Sequence, residues 1–147
     1  MEIRSVEQFL EYWSSLRGRT RRVVECIPPE RLEWTYRAGA FTFGDLVRHR
    51  YPGCGRELAD GYEVVLEYLD RLDAEAKAII ASLTAADLTR KCQTPAGASI
   101  TTWKWLRAMV EHEAHHRGQI YLMLNMLEVP TPPLYGLTSE EVRARSA

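Results

Sequence analysis

Three of the four histidines lie in one short stretch of the chain, and two of them have the spacing of a metal-binding pair. His112 and His116 are four residues apart, so on a helix they project from one face, a single turn apart. Imidazole is the commonest metal ligand among protein side chains, and this spacing lets two rings reach one ion. His49 is the candidate third ligand. The spacing therefore predicts a metal site; the alternative is a set of hydrogen-bonded core histidines.

The neighbours of the pair are candidates for supporting roles. His115 lies about 100° round the helix from His116, so we expect it at the surface or behind the site rather than on the metal. Glu113 and Gln119 lie near enough along the helix to orient the histidines by hydrogen bonds. Glu113 is also a candidate general base, although a glutamate on a solvated helix face is the simpler interpretation. The sequence assigns no catalytic residue.

The string His112-Glu113-Ala114-His115-His116 also satisfies H-E-x-x-H, the helix pattern of zinc peptidases, in which the glutamate acts as general base. The longer form of that pattern requires glycine and histidine at positions where this chain has Gln119 and Leu122. Such peptidases also present their substrate along a sheet edge, and no sheet is predicted here. A peptidase is therefore the less favoured interpretation.

A helix must position the histidine pair. Between residues 103 and 127, apolar side chains recur at steps of three and four, the period of an amphipathic helix. A second stripe from Met109 to Met123 carries His112 and His116, so these rings are expected to face the protein interior. Gly118 costs helix stability at this position, which predicts that a neighbouring backbone packs closely against it.

Capping residues and prolines divide the chain into four main helices, and no stretch has convincing strand alternation. Arg90 to Ile100 is predicted to be a loop, and Leu58 and Ile79 are placed on the core face of helix three. The fold class is therefore all-α, a four-helix bundle. The predicted bounds are Ser5 (with Gln8 as cap partner) to Pro28 for helix one; Thr42 (with Asp45) and about two turns for helix two; near Glu57 to Leu83 for helix three; a short turn capped by Thr84 and Asp87; Thr101 or Thr102 to about Glu128 for helix four; and a terminal helix opened by Thr138-Ser139-Glu140-Glu141.

Length and charge set limits on the class of protein. The 147 residues suit one domain, 1–147, with one core, and the net charge of −1 argues against nucleic acid as a partner. The basic run Arg17, Arg19, Arg21 and Arg22 is predicted to be a solvated helix face, with a phosphate-contacting patch as the alternative. No apolar run is long enough to span a bilayer, so no membrane partner is expected.

The N-terminus and the cysteines predict the compartment. No signal peptide is recognised before the first helix, and the cysteines are odd in number without CxxC spacing. Reduced thiols in a cytoplasmic protein fit this pattern. Cys26, Cys54 and Cys92 are interpreted as core or loop thiols, with a ligand or nucleophile role as the alternative.

Three motifs make the chain resemble the DinB family, the DinB/YfiT-like superfamily of metalloenzymes: Gly44-Asp45-Leu46-Val47-Arg48-His49, His112 to Gln119, and the tail Val129-Pro130-Thr131-Pro132-Pro133. The resemblance implies a four-helix bundle in up-down-down-up order with a long crossover between helices two and three. It maps the family's metal-binding histidines onto His49, His112 and His116, and it implies a divalent ion, zinc or nickel, and a homodimer.

The chain departs from the family after His49. Members continue helix two for several turns beyond that histidine, whereas Arg50-Tyr51-Pro52 follows here at once. Either this segment is deleted or residues are missing from the sequence. The second interpretation is favoured because a two-turn helix would leave long faces of the other helices uncovered.

A three-histidine site leaves a coordination position open, as in catalytic zinc sites. With the resemblance, this predicts an enzyme whose metal activates water or a low-molecular-weight thiol, for hydrolysis or for thiol transfer to a small substrate. The alternative is a non-catalytic, stress-related binding or dimerisation module whose metal is structural or absent. Chelation should melt a structural site and leave a catalytic one folded.

Overall fold

The computed structural model describes residues 2–48, 56–137 and 139–146, and every structural statement below refers to these residues. Helices dominate this part of the chain, joined by one small hairpin and one 3-10 turn. The elements are α1 Val6–Val24, the 3-10 turn Pro29–Arg31, α2 Phe43–Arg48, α3 Tyr62–Ala81, α4 Ala85–Thr89, β1 Lys91–Gln93, β2 Ser99–Thr101, α5 Thr102–Met126 and α6 Ser139–Ser146.

Four of the helices form the bundle. α1 packs against both α3 and α5, and the short α2 contacts the same two helices. Their shared core contains Val23, Phe43, Val65 and Leu124, all fully buried. The all-α, four-helix class is therefore confirmed. The up-down-down-up order and the long crossover stay predictions, because the connection between α2 and α3 includes residues outside the described ranges.

Local hydrogen bonds begin three of the described helices where the sequence predicts, whereas Thr101, the N-cap residue of α5, makes no side-chain cap bond. The Ser5 hydroxyl accepts from the Gln8 N–H at 3.2 Å at the start of α1. Thr42 and Asp45 cap α2 reciprocally, with both backbone N–H to side-chain distances at 3.0 Å. Thr84 caps α4 in the predicted manner. The cap predicted at Thr138 lies outside the described residues.

The short α2 is fixed to the preceding linker by a buried arginine. The Arg48 guanidinium donates to the Glu33 carboxylate at 2.7 Å and to the Ala59 carbonyl oxygen at 2.7 Å. The Gly44 N–H donates to the Leu32 carbonyl oxygen at 2.7 Å. These bonds connect the linker, α2 and the chain before α3, and so compensate for the small number of turns in α2.

The prediction for helix three was wrong at its start and at two core positions. α3 begins at Tyr62, because Gly61 has a φ of 86°, a conformation that does not continue a helix. Leu58 precedes the helix and is 38% exposed. Ile79 is 65% exposed, because Ile80, about 100° round the helix, takes the buried position.

The segment predicted to be a loop after Arg90 contains an antiparallel hairpin. β1 pairs with β2 so that Lys91 faces Thr101, and the Thr94 N–H donates to the Ala98 carbonyl oxygen at 2.9 Å across the turn. Three-residue strands are too short to show the alternation from which a strand is recognised.

The close approach predicted at Gly118 is wrong as well. Gly118 is exposed, and a Cβ atom built there would meet no other atom within 4 Å. Among the helices of the described residues, none is both long and apolar enough to cross a membrane.

Candidate metal centre

α5 brings His112 and His116 together. Their Nε2 atoms lie 3.0 Å apart, and the ring planes meet at 80°. Two nitrogens that each lie about 2.0–2.1 Å from a zinc ion can be separated by up to about 4 Å, so this pair fits a single divalent ion. His116 is half-buried, but His112 is exposed, so the expectation that both rings face the interior was wrong for His112.

Gln119 orients His116 as the sequence predicts. With Gln119 Oε1 as acceptor at 2.7 Å, the proton of His116 sits on Nδ1, and the Nε2 lone pair faces His112. Burial lowers the pKa of His116, and the neighbouring His112 and His115 lower it further, although the bond to Gln119 opposes them. A low pKa favours the neutral imidazole, which is the form that binds metal.

Of the other two histidines, only His115 lies within the described residues. His115 is exposed and its ring centroid lies 5.3 Å from that of His116, as expected for a residue beside the pair. His49, the predicted third ligand, lies outside the described residues. Within the described ranges, no cluster of three His, Cys, Asp or Glu side chains suited to a metal is present. The assignment of His49 therefore stays a prediction.

A cavity of about 230 Å³ adjoins the histidine pair inside the bundle. This volume is below the usual range of about 300–1,000 Å³ for ligand pockets, so it suits a small molecule. Most of its walls are apolar, and the charged side chains among the described lining residues come from α1 and α5. The lining residues are Trp13, Arg17, Thr20, Val24, Leu46, Val47, Leu69, Leu72, Met109, His112, Glu113, His116, Arg117 and Ile120.

An ion pair between α1 and α5 forms part of the cavity wall. Glu113 Oε2 accepts from Arg17 at 3.0 Å, and Glu113 Oε1 accepts from the Thr20 hydroxyl at 2.6 Å. The two charged side chains are only 14% and 13% exposed. The prediction that Arg17 and Glu113 lie on solvated faces was therefore wrong, and the bonds of Glu113 go to α1 rather than to the histidines.

The spacing on α1 contained a signal for this pair. Trp13, Arg17, Thr20 and Val24 recur at steps of four and three, and all four line the cavity. Because Arg17 is charged, a search for buried positions by hydrophobicity alone does not recognise this stripe.

Arg117 occupies the core of the same region, as its place in the apolar stripe of α5 indicates. It is 3% exposed. Its guanidinium donates to the Thr20 hydroxyl at 3.1 Å and to the Tyr135 hydroxyl at 2.7 Å. It therefore connects α5 to α1 and to the chain that follows α5.

The described cysteines lie apart from this cavity. Cys26 and Cys92 are half-buried free thiols and are absent from its lining. Burial, and secondarily Glu25, raises the pKa of the Cys26 thiol, which makes it a poor nucleophile. Cys54 lies outside the described residues.

The fold is shared with solved structures. A DinB-like protein from Bacillus cereus has a TM-score of 0.76 at 18% identity, covering 90% of this chain and 99% of that one. YfiT from Bacillus subtilis, described as a probable metal-dependent hydrolase with an unusual four-helix bundle topology, has a TM-score of 0.69 at 16% identity, covering 88% and 91%. The DinB-like protein YjoA from Bacillus subtilis has a TM-score of 0.69 at 19% identity, covering 86% and 96%.

A sequence model of the DinB superfamily matches residues 50–120. Over this segment, just under half of the chain, the sequence matches the DinB superfamily. The matched segment contains His112 and His116 and begins one residue after His49. Among curated proteins, nothing matches the chain.

Proposed function

We propose that the protein is a divalent-metal-dependent enzyme of the DinB type that acts on a small substrate. His112, His116 and His49 would hold the ion, with zinc or nickel as the metal. The observation that carries this proposal is the 3.0 Å separation of two Nε2 atoms beside a cavity in the bundle. The neutral form of His116 and its bond to Gln119 support it.

The bound ion would supply a lowered pKa for water or a thiolate ready for attack, for hydrolysis or for transfer of a low-molecular-weight thiol. The chain itself contributes position and enclosure. Gln119 holds the proton of His116 on Nδ1, and apolar side chains such as Leu46 and Ile120 form part of the cavity wall. The description of YfiT as a probable metal-dependent hydrolase supports the hydrolytic branch. The thiol branch rests on the family resemblance.

The first test is the metal content of untagged protein, measured by elemental analysis for the wild type, His116→Ala and His115→Ala. We expect about one divalent ion per chain in the wild type and in His115→Ala, and none in His116→Ala. Absence of metal in all three proteins after incubation with zinc or nickel would refute the metal site and favour the alternative of hydrogen-bonded core histidines. Loss in His115→Ala with retention in His116→Ala would mean that the wrong member of the adjacent pair was chosen.

Chelation separates this function from a non-catalytic module with a structural ion. The bundle core, with Val23, Phe43 and Val65 fully buried, is built without the histidines. We therefore expect chelation to lower the thermal midpoint by only a few degrees when the metal-loaded protein is measured at a low free metal concentration. Under that condition a ligand that binds only the folded state adds little stability. Complete unfolding on chelation would instead indicate a structural ion, whose binding energy is folding energy.

A further inference from the structure

Arg117 is a buried cation that has no acidic partner among the described residues. It is 3% exposed, and its guanidinium bonds go to two neutral hydroxyl groups, those of Thr20 and Tyr135. Other enclosed arginines differ from it. Arg48 donates to Glu33 at 2.7 Å and Arg17 donates to Glu113 at 3.0 Å.

A buried guanidinium is costly unless an anion compensates its charge. Arginine has five N–H donors, and the two bonds of Arg117 to described residues leave three for another acceptor. The nearest connected carboxylate is that of Glu113, which lies beyond the Thr20 hydroxyl and already pairs with Arg17. The charge of Arg117 is therefore compensated only indirectly.

The position of Arg117 connects this unmatched charge to the metal centre. Arg117 lines the same cavity as His112 and His116. The other two formal charges in the described lining, Arg17 and Glu113, form an ion pair. Asp73 lies outside the lining and also contacts Arg17, at 3.4 Å, but its charge is balanced by Lys77 at 2.6 Å. The cavity thus has apolar walls and one net positive charge, before any metal adds to it.

We propose that Arg117 anchors a carboxylate of the substrate, so that the enzyme acts on small carboxylate-bearing molecules. This inference rests on the proposed function: the metal holds the reacting end of the molecule, and Arg117 holds its anionic end. The planar fork of arginine matches a carboxylate in two parallel hydrogen bonds. The small cavity restricts the rest of the molecule to a short, largely apolar chain.

The test is a calorimetric titration of the zinc-loaded protein with 3-mercaptopropionate and 4-mercaptobutyrate, each compared with its neutral amide. Sulfur is a good zinc ligand, so the two members of each pair reach the metal alike and differ in the charge at the far end. Of the two acids, we expect the one that binds the wild type more tightly to bind at least about tenfold more tightly than its own amide. The ratio should fall to about one in Arg117→Gln and be intermediate in Arg117→Lys, which keeps the charge without the fork.

Arg22→Gln is the matched control, since Arg22 is an exposed arginine on α1. It should keep the wild-type ratio. A wild-type ratio near one at both chain lengths overturns the anchor, whether or not the Arg117 variants fold. A wild-type preference that survives in Arg117→Gln overturns it too.

Titration of the metal-free protein distinguishes the failure of this inference from the failure of the proposed function. A protein that binds no zinc but still prefers the acids over the amides, with the preference lost in Arg117→Gln, supports the anchor and refutes the metalloenzyme. A protein that binds zinc and thiols without any preference for the acids overturns the anchor alone.

Discussion

Gln119 determines which nitrogen of His116 faces His112. Its Oε1 accepts from Nδ1 at 2.7 Å, so the Nε2 lone pair points at the partner ring, 3.0 Å away. A bond of this kind to the far nitrogen of a metal-binding histidine fixes both the tautomer and the ring orientation. The side chain of a single residue therefore prepares the pair for metal.

Gln119→Leu should lower zinc affinity about 10–100-fold, because the acceptor for Nδ1–H is lost while size is roughly kept. Gln119→Glu should bind zinc at least as well as the wild type, since a carboxylate also accepts that proton. The measurement is competition with a chromophoric chelator. Equal affinities for Gln119→Leu and the wild type would show that the bond does not support metal binding.

Glu113→Ala should destabilise the protein by about 2–3 kcal/mol, because the mostly enclosed Arg17 loses its 3.0 Å partner and keeps only the longer contact to Asp73 at 3.4 Å. Glu111→Ala is the matched control on the same helix: its side chain is 66% exposed and pairs with Arg107 at the surface. That change should cost less than about 1 kcal/mol. Urea unfolding of both variants measures the difference. Similar losses would contradict the distinction between an enclosed and a surface ion pair.

Among the helices, α2 and α5 each contain a glycine, and the two glycines have different surroundings. Gly44 in α2 lies against the Arg48 guanidinium and the Glu33 carboxylate, which leaves no room for a Cβ atom. Gly118 in α5 faces open space. Glycine is therefore required by tight packing in α2, whereas at position 118 in α5 there is space for a larger side chain.

Gly44→Ala should destabilise the protein by about 1–3 kcal/mol, because the Arg48 side chain is buried and cannot move without breaking its bonds. Gly118→Ala should stabilise it by about 0.5–1 kcal/mol through helix propensity alone. Chemical denaturation checks both signs. Stabilisation by Gly44→Ala would mean that the Arg48 side chain can shift without losing its hydrogen bonds to Glu33 and Ala59.

The ion pair that holds α2 to the linker should make stability depend on pH. Burial alone would raise the pKa of Glu33, but the hydrogen bond and charge of Arg48, with Thr42 and Arg56, hold it below its usual value. A lowered folded-state pKa stabilises the protein above the unfolded value of about 4.3, and this stabilisation is lost as pH falls through the folded-state pKa.

Glu33→Gln should therefore be less stable than the wild type at pH 7, and the difference should shrink when the pH is lowered below about 4. Denaturation of both proteins across pH 3–7 measures it. A difference that stays constant over this range would refute the link to ionisation of Glu33.

At the scale of the whole molecule, exposed apolar side chains gather on α5 and the chain that follows it. Leu122 and Met126 are 62% and 53% exposed, and Tyr135 and Leu137 are 76% and 45% exposed. Leu122, Tyr135 and Leu137 line one surface depression, and a contiguous apolar surface is typical of interfaces. We expect this surface to form the homodimer predicted from the resemblance.

Light scattering coupled to size exclusion should find a dimer that Leu122→Glu weakens. Ile79→Glu is the control, because Ile79 is equally exposed, at 65%, but lies on α3. A monomer at every concentration would refute the dimer. Weakening by Ile79→Glu alone would place the interface on α3.

Features that depend on residues a few positions apart could be predicted from the sequence. The histidine pair and its bond to Gln119, the caps at Ser5, Thr42 and Thr84, and the four helices all follow from local spacing and local hydrogen bonds. The three-residue strands and the start of α3 were missed, because short strands carry little pattern and helix boundaries depend on a single glycine conformation.

Contacts between charges far apart in the sequence became known only from the folded structure. Arg17 and Glu113 are 96 residues apart and Thr20 and Arg117 are 97 apart, yet both pairs are joined by hydrogen bonds across α1 and α5. Partners of this kind depend on the rotation and depth at which two helices pack, which no local spacing encodes. For the same physical reason, the charge of the cavity became apparent only once the helices were placed together.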